Sequence, residues 1–254
     1  MPGGRASWFL DGSVPRVFAH RGLSLNAPEN TLLAFRHALL AGATHLETDV
    51  RASDDGVAVL SHDADFAVPG ARIRVSRLRM AELRRINLGW GQPFASLAEA
   101  LDAFPDARFN LDVKSDAAVE AAVAAVLAAN ATDRVLITSF SEDRRARTVR
   151  SLPGVATSAS SLLVGRAFVA AELGLGGQVR RAVLGLSAMQ VPETVRSLRI
   201  LTPRFLRAMH ALGVEVHVWT VNEPAAMRRL LDAGVDGLIT DRSDLAVGVI
   251  ADRS

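Results

Sequence analysis

The sequence predicts an α/β fold in which parallel strands alternate with helices. Short apolar runs alternate with longer amphipathic patterns over nearly the whole chain, and no linker-like stretch divides them. About eight such units in about 250 residues is the size of a TIM (β/α)8 barrel. A doubly wound open sheet is the alternative, but the loop after the first run contains neither G-x-G-x-x-G nor a P-loop. We therefore expect a TIM barrel forming one domain over residues 1–254.

The predicted elements follow one another at short intervals. The apolar runs that predict strands are 17–19, 46–50, 57–60, 109–113, 135–138, 155–157, 182–186, 214–218 and 235–239. The amphipathic segments that predict helices are 31–41, 95–104, 117–129, 141–150, 203–212 and 224–233. Nearly every run is followed by polar, reactive side chains, and barrel enzymes build their sites at that carboxyl end.

The connection between the second and third runs is too short for a helix. It contains Asp55-Gly56, a strong turn signal, so the two runs are expected to form a hairpin. Paired positions then sum to about 110, which places His62 opposite Glu47 to Asp49. Local sequence alone therefore brings an imidazole beside two carboxylates.

Composition excludes several classes of function. The chain has no cysteine, so disulfides, thiolate metal sites and thiol nucleophiles are absent. Its 29 basic and 27 acidic residues give a net charge of only +2, which does not indicate nucleic-acid binding. No apolar run approaches the roughly 20 residues of a membrane span, and we expect a cytoplasmic protein without stable membrane insertion.

Three carboxylates are the candidate metal ligands. Glu47 and Asp49 share one strand face, and Asp112 is expected on the same rim. At about 4 Å and an effective dielectric near 20, each pair would repel by roughly 4 kcal/mol, so a positive group must lie among them. Carboxylate ligands favour one hard divalent cation, Mg²⁺ or Ca²⁺. The alternative is a salt-bridge network with Arg21, Arg51 and Lys114.

Two histidines end the first and third runs. His20 and His62 are suited to general acid and base roles because unperturbed imidazoles titrate near neutral pH. The remaining histidines, His37, His45, His210 and His217, are interpreted as structural. Arg21 and Lys114, the one lysine of the chain, add positive charge that would bind a phosphate and stabilise its transition state. The substrate predicted from these residues is a phosphoester.

The ordered motifs resemble a known family. The stretch AHRGLSLNAPENTLLAFRHALLAGATHLETDVRASDDGVAVLSHD resembles the amino-terminal signature of glycerophosphodiester phosphodiesterases. The likeness continues through SLAEAL, NLDVK, ITSF, VWTVN and GVDGLITD, and covers residues 17–244. It implies a TIM barrel with a small insertion after the third strand, at about 63–94. It also implies metal-dependent hydrolysis of glycerophosphodiesters to sn-glycerol 3-phosphate and an alcohol.

The resemblance also implies roles for single residues. His20 and His62 match the acid–base pair, and Arg21 a phosphate contact. Glu47 and Asp49 match metal ligands, while Asp112 and Lys114 fall where the family usually has Glu-x-Lys, a metal ligand and a substrate contact. Trp219 matches an aromatic residue of the pocket. In this family the glycerol 2-hydroxyl is thought to attack phosphorus first, giving a cyclic phosphate that water opens.

Two alternative functions remain open at this stage. A lysophospholipase D-like or sphingolipid phosphodiesterase of the same superfamily would keep the site but need an apolar groove. A non-catalytic barrel that binds phosphoryl ligands would bind without turnover. In each case the partner is a small molecule, and nothing in the sequence indicates an oligomeric state. The insertion carries six arginines, interpreted either as a cap that attracts anionic headgroups or as a solvated charged face.

Overall fold

The computed structural model describes residues 7–68 and 71–253. In chain order its strands are β1 Arg16–His20, β2 His45–Ala52, β3 Ala58–Leu60, β4 Asp65–Val68, β5 Ala71–Arg74, β6 Phe109–Val113, β7 Val135–Thr138, β8 Ala156–Thr157, β9 Ala188–Pro192, β10 Thr194–Val195, β11 Leu198–Arg199, β12 Glu215–Trp219 and β13 Gly237–Thr240. The α-helices are α1 Leu32–Leu40, α2 Met80–Leu83, α3 Leu97–Ala103, α4 Ala117–Ala128, α5 Glu142–Ser151, α6 Ser161–Glu172, α7 Gly176–Ala182, α8 Pro203–His210, α9 Pro224–Asp232 and α10 Ser243–Ala251.

Eight of these strands form a parallel barrel. Their order around the barrel is β8, β7, β6, β2, β1, β13, β12 and β9. A parallel bridge between Ser158 and Ala188 joins the two ends, and the Ala159 N–H donates to the Ala188 carbonyl at 3.2 Å. This arrangement confirms the predicted TIM barrel.

Helices cover the outside of the barrel, and five of those described begin at a side-chain cap. Hydroxyl groups accept hydrogen bonds from the first-turn N–H groups of five helices, as N-cap residues commonly do. These caps are Thr31, Ser96, Ser141, Ser160 and Thr202. Among the described residues, no helix combines the length and the hydrophobicity that crossing a membrane requires.

One predicted strand is wrong. The run 182–186 begins in the last turn of α7, where the Val183 N–H donates to the Val179 carbonyl, and it ends in a turn at Gly185 with a φ of +76°. The barrel strand is instead β9, six residues later at its start. The error arises because a short apolar run does not distinguish a strand from the end of a buried helix. The other eight predicted strands lie within three residues of observed ones.

A polar ladder crosses the interior of the barrel. The Asn110 Nδ2 donates to Gln190 Oε1 at 3.2 Å, and Gln190 Nε2 lies 3.5 Å from His217 Nδ1. The His217 Nε2 lies 3.0 Å from Glu215 Oε2, which also accepts from Arg16 Nε at 2.7 Å. Asn110 precedes Asp112 by two residues in β6, and His217 precedes the end of β12 by two, so this ladder crosses the barrel below the strand ends that carry the candidate site.

The hairpin predicted from Asp55-Gly56 is confirmed in its register. Strands β2 and β3 are antiparallel, with Val50 opposite Leu60 and Ala52 opposite Ala58, so paired positions sum to 110. The insertion after β3 continues as the β4–β5 hairpin, a short 3-10 turn and α2. It has its own small hydrophobic cluster, formed by Val59, Val75, Met80, Leu83 and Phe94.

Candidate active site

His20, the last residue of β1, lies between two carboxylates, with Asp241 at one ring nitrogen and Glu47 facing the other. Its Nδ1 lies 2.6 Å from Asp241 Oδ1, and the other oxygen of Asp241 accepts from Asn222 Nδ2 at 2.7 Å. Its Nε2 lies 4.0 Å from Glu47 Oε2. Burial alone would lower the pKa of His20, but the hydrogen bond to Asp241 and the charge of Glu47 raise it above 6.5. With Nδ1 bonded to Asp241, the neutral imidazole presents an unprotonated Nε2.

Glu47 is a buried carboxylate at the same height as His20, its register partner in the neighbouring strand. Its Oε2 accepts the backbone N–H of Arg21 at 3.0 Å. Burial, and next the charge of Asp49, raise the pKa of Glu47 to about 8. This carboxylate is therefore in an environment that favours a cation beside it.

Asp49 is held on two sides. Its Oδ2 accepts from Asn30 Nδ2 at 3.1 Å and lies 3.1 Å from Arg21 Nε, while its Oδ1 lies 2.8 Å from Lys114 Nζ. Burial alone would raise the pKa of Asp49, but Lys114 and Arg21 hold it below its usual value. Arg21 also donates to both oxygens of Glu29, at 3.0 and 3.1 Å.

Lys114 lies between two carboxylates of neighbouring strands. Asp49 and Asp112 are register partners of β2 and β6, and Lys114 Nζ contacts Asp112 Oδ2 at 2.6 Å. The two acids raise the pKa of Lys114 although burial alone would lower it. The sequence predicts a positive group among these acids, and the ammonium group of Lys114 lies there.

The three predicted metal ligands lie on adjacent strands but do not form a closed cage. In the described ranges, no three His, Asp or Glu side chains are arranged as a metal site. Part of the predicted salt-bridge network is present instead, through Arg21 and Lys114, whereas Arg51 donates to the backbone carbonyl of His62. The residues nevertheless fit a hard cation, because Asp112 Oδ1 is buried without a hydrogen-bond partner within the described chain.

His62 follows β3 and returns to the level of the carboxylates. The N–H of the preceding residue, Ser61, donates to the carbonyl of Asp49 at 3.0 Å. The ring Nδ1 of His62 lies 2.8 Å from Asp63 Oδ1, and the ring is half-exposed. The hairpin thus places His62 beside β2, as its register predicts.

An aromatic pair forms one wall of the same rim. Trp219, the last residue of β12, packs edge-to-face on Phe140 with ring centroids 5.8 Å apart. Lys114 Nζ lies 5.6 Å from the centroid of the Phe140 ring, so the wall adjoins the charged cluster. Phe140 is exposed and Trp219 is partly buried.

Comparison with known proteins shows the family to which the chain belongs. A family model, the glycerophosphoryl diester phosphodiesterase family, matches residues 20–245. The chain belongs to the glycerophosphoryl diester phosphodiesterase family. The resemblance seen in the sequence is thereby confirmed.

Individual members of the family align over most of their length. The chain is 40% identical to "Probable glycerophosphodiester phosphodiesterase 2" of Mycobacterium tuberculosis, over 96% of this chain and 97% of that protein. It is 30% identical to a glycerophosphodiester phosphodiesterase of Caldanaerobacter subterraneus, covering 92% and 97%. A phosphodiesterase structure from Oleispira antarctica, in complex with the product sn-glycerol-3-phosphate, shares the fold with a TM-score of 0.77 and 21% identity, covering 94% and 97%.

Three site residues of this family member were not predicted from its sequence. Asn30, the asparagine of the PENT motif, accepts from the Thr48 hydroxyl at 2.7 Å and donates to Asp49. Asp241 orients His20, and Asn222 donates to Asp241. The signals were present, since the PENT and GLITD motifs contain Asn30 and Asp241, but no local pattern indicates which distant side chain each one contacts.

Proposed function

We propose that the chain hydrolyses glycerophosphodiesters to sn-glycerol 3-phosphate and an alcohol. The observation that carries the proposal is the meeting of His20, paired with Asp241, and the Glu47, Asp49 and Asp112 carboxylates at one rim with Lys114. Acids, an oriented imidazole and fixed cations are the groups that phosphodiester cleavage needs. Family membership and the product bound in the Oleispira structure support the same substrate class.

We propose that His20 and His62 act as the general acid and base. One imidazole accepts the proton of the glycerol 2-hydroxyl as its oxygen bonds to phosphorus, and the other donates a proton to the leaving alkoxide as its P–O bond breaks. Water then opens the cyclic phosphate to sn-glycerol 3-phosphate, with the two imidazoles exchanging roles. The hydrogen bond to Asp241 supports the part assigned to His20, because it fixes the tautomer and leaves Nε2 free to face the substrate. The register of β2 and β3 supports the part assigned to His62.

One divalent cation, Mg²⁺ or Ca²⁺, is part of this proposal, with Glu47, Asp49 and Asp112 as the residues that would hold it. When bound, the cation supplies Lewis-acid polarisation of the phosphoryl oxygens. The support is the buried, unpartnered Asp112 Oδ1 and the all-oxygen donor set. Asp112 carries one methylene less than the glutamate usual in the family, so its carboxylate remains closer to β6.

The cations and the aromatic wall have binding roles in this proposal. Arg21 and Lys114 bind the phosphoryl oxygens and stabilise the charge that develops on them. Both side chains are already held by carboxylates, Arg21 by Glu29 and Lys114 by Asp49 and Asp112, so their ordering entropy is lost before substrate binds. Trp219, packed on Phe140, lines the pocket near Lys114.

The test is release of sn-glycerol 3-phosphate from glycerophosphocholine, glycerophosphoethanolamine and glycerophosphoinositol, with and without EDTA. We expect turnover of at least one substrate, loss of turnover in EDTA and recovery on adding Mg²⁺ or Ca²⁺. Full turnover in EDTA would remove the cation from the proposal. Binding of glycerophosphodiesters without turnover would favour the non-catalytic barrel.

A lysophospholipase D-like activity is the second candidate, because the exposed Phe140 and its partner Trp219 offer an apolar wall beside Lys114. An acyl chain of a lysophospholipid would lie on such a wall. Assaying lysophosphatidylcholine in parallel separates the two candidates. The first proposal expects a higher kcat/KM for glycerophosphocholine, and the reverse order would favour the second.

A further inference from the structure

The carboxyl-terminal rim of the barrel carries exposed apolar side chains on both sides of the candidate site. Each one lies in a segment that follows the end of a barrel strand or in the insertion. We name these residues the apolar rim; they are Leu25, Trp90, Phe140, Leu162, Val195 and Leu198. Exposed apolar side chains gathered at one end of a fold are candidates for an interaction surface.

Trp90 is displayed at some energetic cost. It is 68% exposed and occupies a tight turn closed by the Gln92 N–H and the Gly89 carbonyl at 2.9 Å. Its φ of +55° lies in the left-handed region, which is unfavourable for a non-glycine residue. A Cβ at Gly89 would lie 3.6 Å from Pro28, so this turn adjoins the loop after β1 and reaches the mouth of the barrel.

The β10–β11 hairpin displays a second apolar pair opposite Trp90. It follows β9, which is four strands away from β2 around the barrel. Val195 and Leu198 are paired across the hairpin, and every residue from Thr194 to Arg199 is exposed. Because the hairpin has no buried face, its apolar pair is available for contact with a partner.

Positive charge accompanies the apolar rim. The insertion from 63 to 94 holds six arginines against three acids. It lies at the rim because the Asp54 N–H, in the turn beyond β2, donates to the Leu78 carbonyl at 2.9 Å. Arg77 and Arg85 are exposed and form no salt bridge with any side chain that the structure describes. Arg196 adds a further exposed cation at the tip of the hairpin.

We propose that the apolar rim docks the chain on the surface of an anionic phospholipid membrane, with the candidate site facing the lipid. Indole and aliphatic side chains at loop tips insert at the headgroup boundary, and arginines beside them bind anionic headgroups. The charge is what favours this occupant, because an uncharged apolar partner gives no reason for arginines on the same rim. The inference goes beyond the proposed function, since docking does not need turnover.

The test is sedimentation with phosphatidylcholine vesicles with and without phosphatidylglycerol. We expect binding to require phosphatidylglycerol and to weaken as salt is raised. The triple variant Trp90→Asn, Val195→Thr and Leu198→Thr is expected to bind at least tenfold more weakly, because it has less apolar surface to insert. Asparagine accepts a positive φ and threonine suits a strand, so the variant is expected to keep its fold. Arg77→Glu with Arg85→Glu is expected to lose about fivefold or more per arginine.

Matched controls come from the other end of the barrel. Leu184 is 82% exposed before β9, and Arg180 and Arg181 lie in the last turn of α7. Leu184→Ser and the pair Arg180→Glu with Arg181→Glu are expected to bind like the parent chain. Equal losses in rim and control variants, or equal binding to both vesicle types, would overturn the proposal. If the parent chain forms a dimer, the triple variant is monomeric and the parent does not bind vesicles, the apolar rim is an interface with a second copy of the chain.

Two further readouts separate docking from folding and from catalysis. The tryptophan fluorescence of the parent chain is expected to shift to shorter wavelength on phosphatidylglycerol vesicles, and that of Trp90→Asn is not. No shift in the parent would contradict the insertion of Trp90. His62→Ala is expected to bind vesicles like the parent. A chain that docks but hydrolyses no glycerophosphodiester overturns the proposed function alone, whereas hydrolysis without docking overturns this inference alone.

Discussion

Asp241 Oδ1 lies 2.6 Å from Nδ1 of His20, although the two residues are 221 positions apart in sequence. The contact joins β1 to the residue that follows β13, its neighbour in the barrel. It also leaves the other ring nitrogen facing Glu47, at 4.0 Å. Closure of the barrel therefore sets the tautomer of the imidazole that we assign to proton transfer.

Replacing Asp241 by asparagine is expected to lower kcat about 10- to 100-fold with a smaller change in KM. Asp241 helps to raise the pKa of His20, so its neutralisation lowers that pKa. If His20 is the base, the acidic limb of the pH–rate profile moves to lower pH; if it is the acid, the basic limb does so. Unchanged limbs in Asp241→Asn would contradict the positioning role.

Lys114→Met is expected to destabilise the chain by about 3–5 kcal/mol in EDTA, because it leaves Asp49 and Asp112 buried without their ammonium partner. Urea unfolding measures the loss, and adding Mg²⁺ or Ca²⁺ is expected to restore part of it. Arg207→Met, at an exposed cation, serves as control and is expected to change stability by less than about 0.5 kcal/mol. If neither Mg²⁺ nor Ca²⁺ restores stability, the result counts against a cation site at these acids.

Gly22→Ala is expected to destabilise the chain more than Gly154→Ala. Both glycines have a φ of +86°, so both variants carry the same backbone strain, of about 1–3 kcal/mol. A Cβ at Gly22 would also lie 2.7 Å from the backbone carbon of Ala34, whereas one at Gly154 meets nothing within 4 Å. Overpacking adds about 1–3 kcal/mol at Gly22 alone. Equal losses for the two variants in urea unfolding would show that α1 moves away freely.

Stability is expected to fall in mild acid because of His45. Its Nε2 lies 2.8 Å from the Phe9 carbonyl, and burial lowers its pKa to about 3. The unfolded chain binds a proton near pH 6.5 and the folded chain does not, so stability present above pH 6.5 is lost as the pH falls toward 3. The slope is about 1.4 kcal/mol per pH unit for one group.

Urea unfolding at pH 7 and pH 5 measures this contribution as a difference between the parent and His45→Gln. Glutamine keeps a donor for the Phe9 carbonyl but does not titrate, so the loss between these pH values is expected to be about 2 kcal/mol smaller in the variant. The same loss in both proteins would place the acid sensitivity elsewhere.

Much of the fold was predictable because period-two alternation and a single turn are local signals. Asp55-Gly56 sets the β2–β3 register, and that register brings His62 to the level of Asp49. The missed strand β9 shows the limit of this reasoning. Its Gln190 is polar because it joins the interior ladder, and that partner is unknown until the barrel is closed.

The candidate site was predictable in its residue types but not in its pairings. The sequence placed Asp49 and Asp112 at one rim and required a cation among them. Which cation was not predictable, since contact with Lys114 depends on the register of β2 and β6. The orienting roles of Asn30 and Asp241 were missed for the same reason, because each acts on a side chain from another strand.

The measurement that tests the account most directly is steady-state release of sn-glycerol 3-phosphate by His20→Ala, His62→Ala and His210→Ala. His210 lies in the last turn of α8, where its Nε2 is 2.8 Å from Asp236 Oδ2, and it serves as the control. We expect kcat to fall about 10²- to 10⁴-fold in each of the first two variants and to stay unchanged in the third. Activity within a few fold of the parent in either His20→Ala or His62→Ala would contradict the proposed acid–base pair.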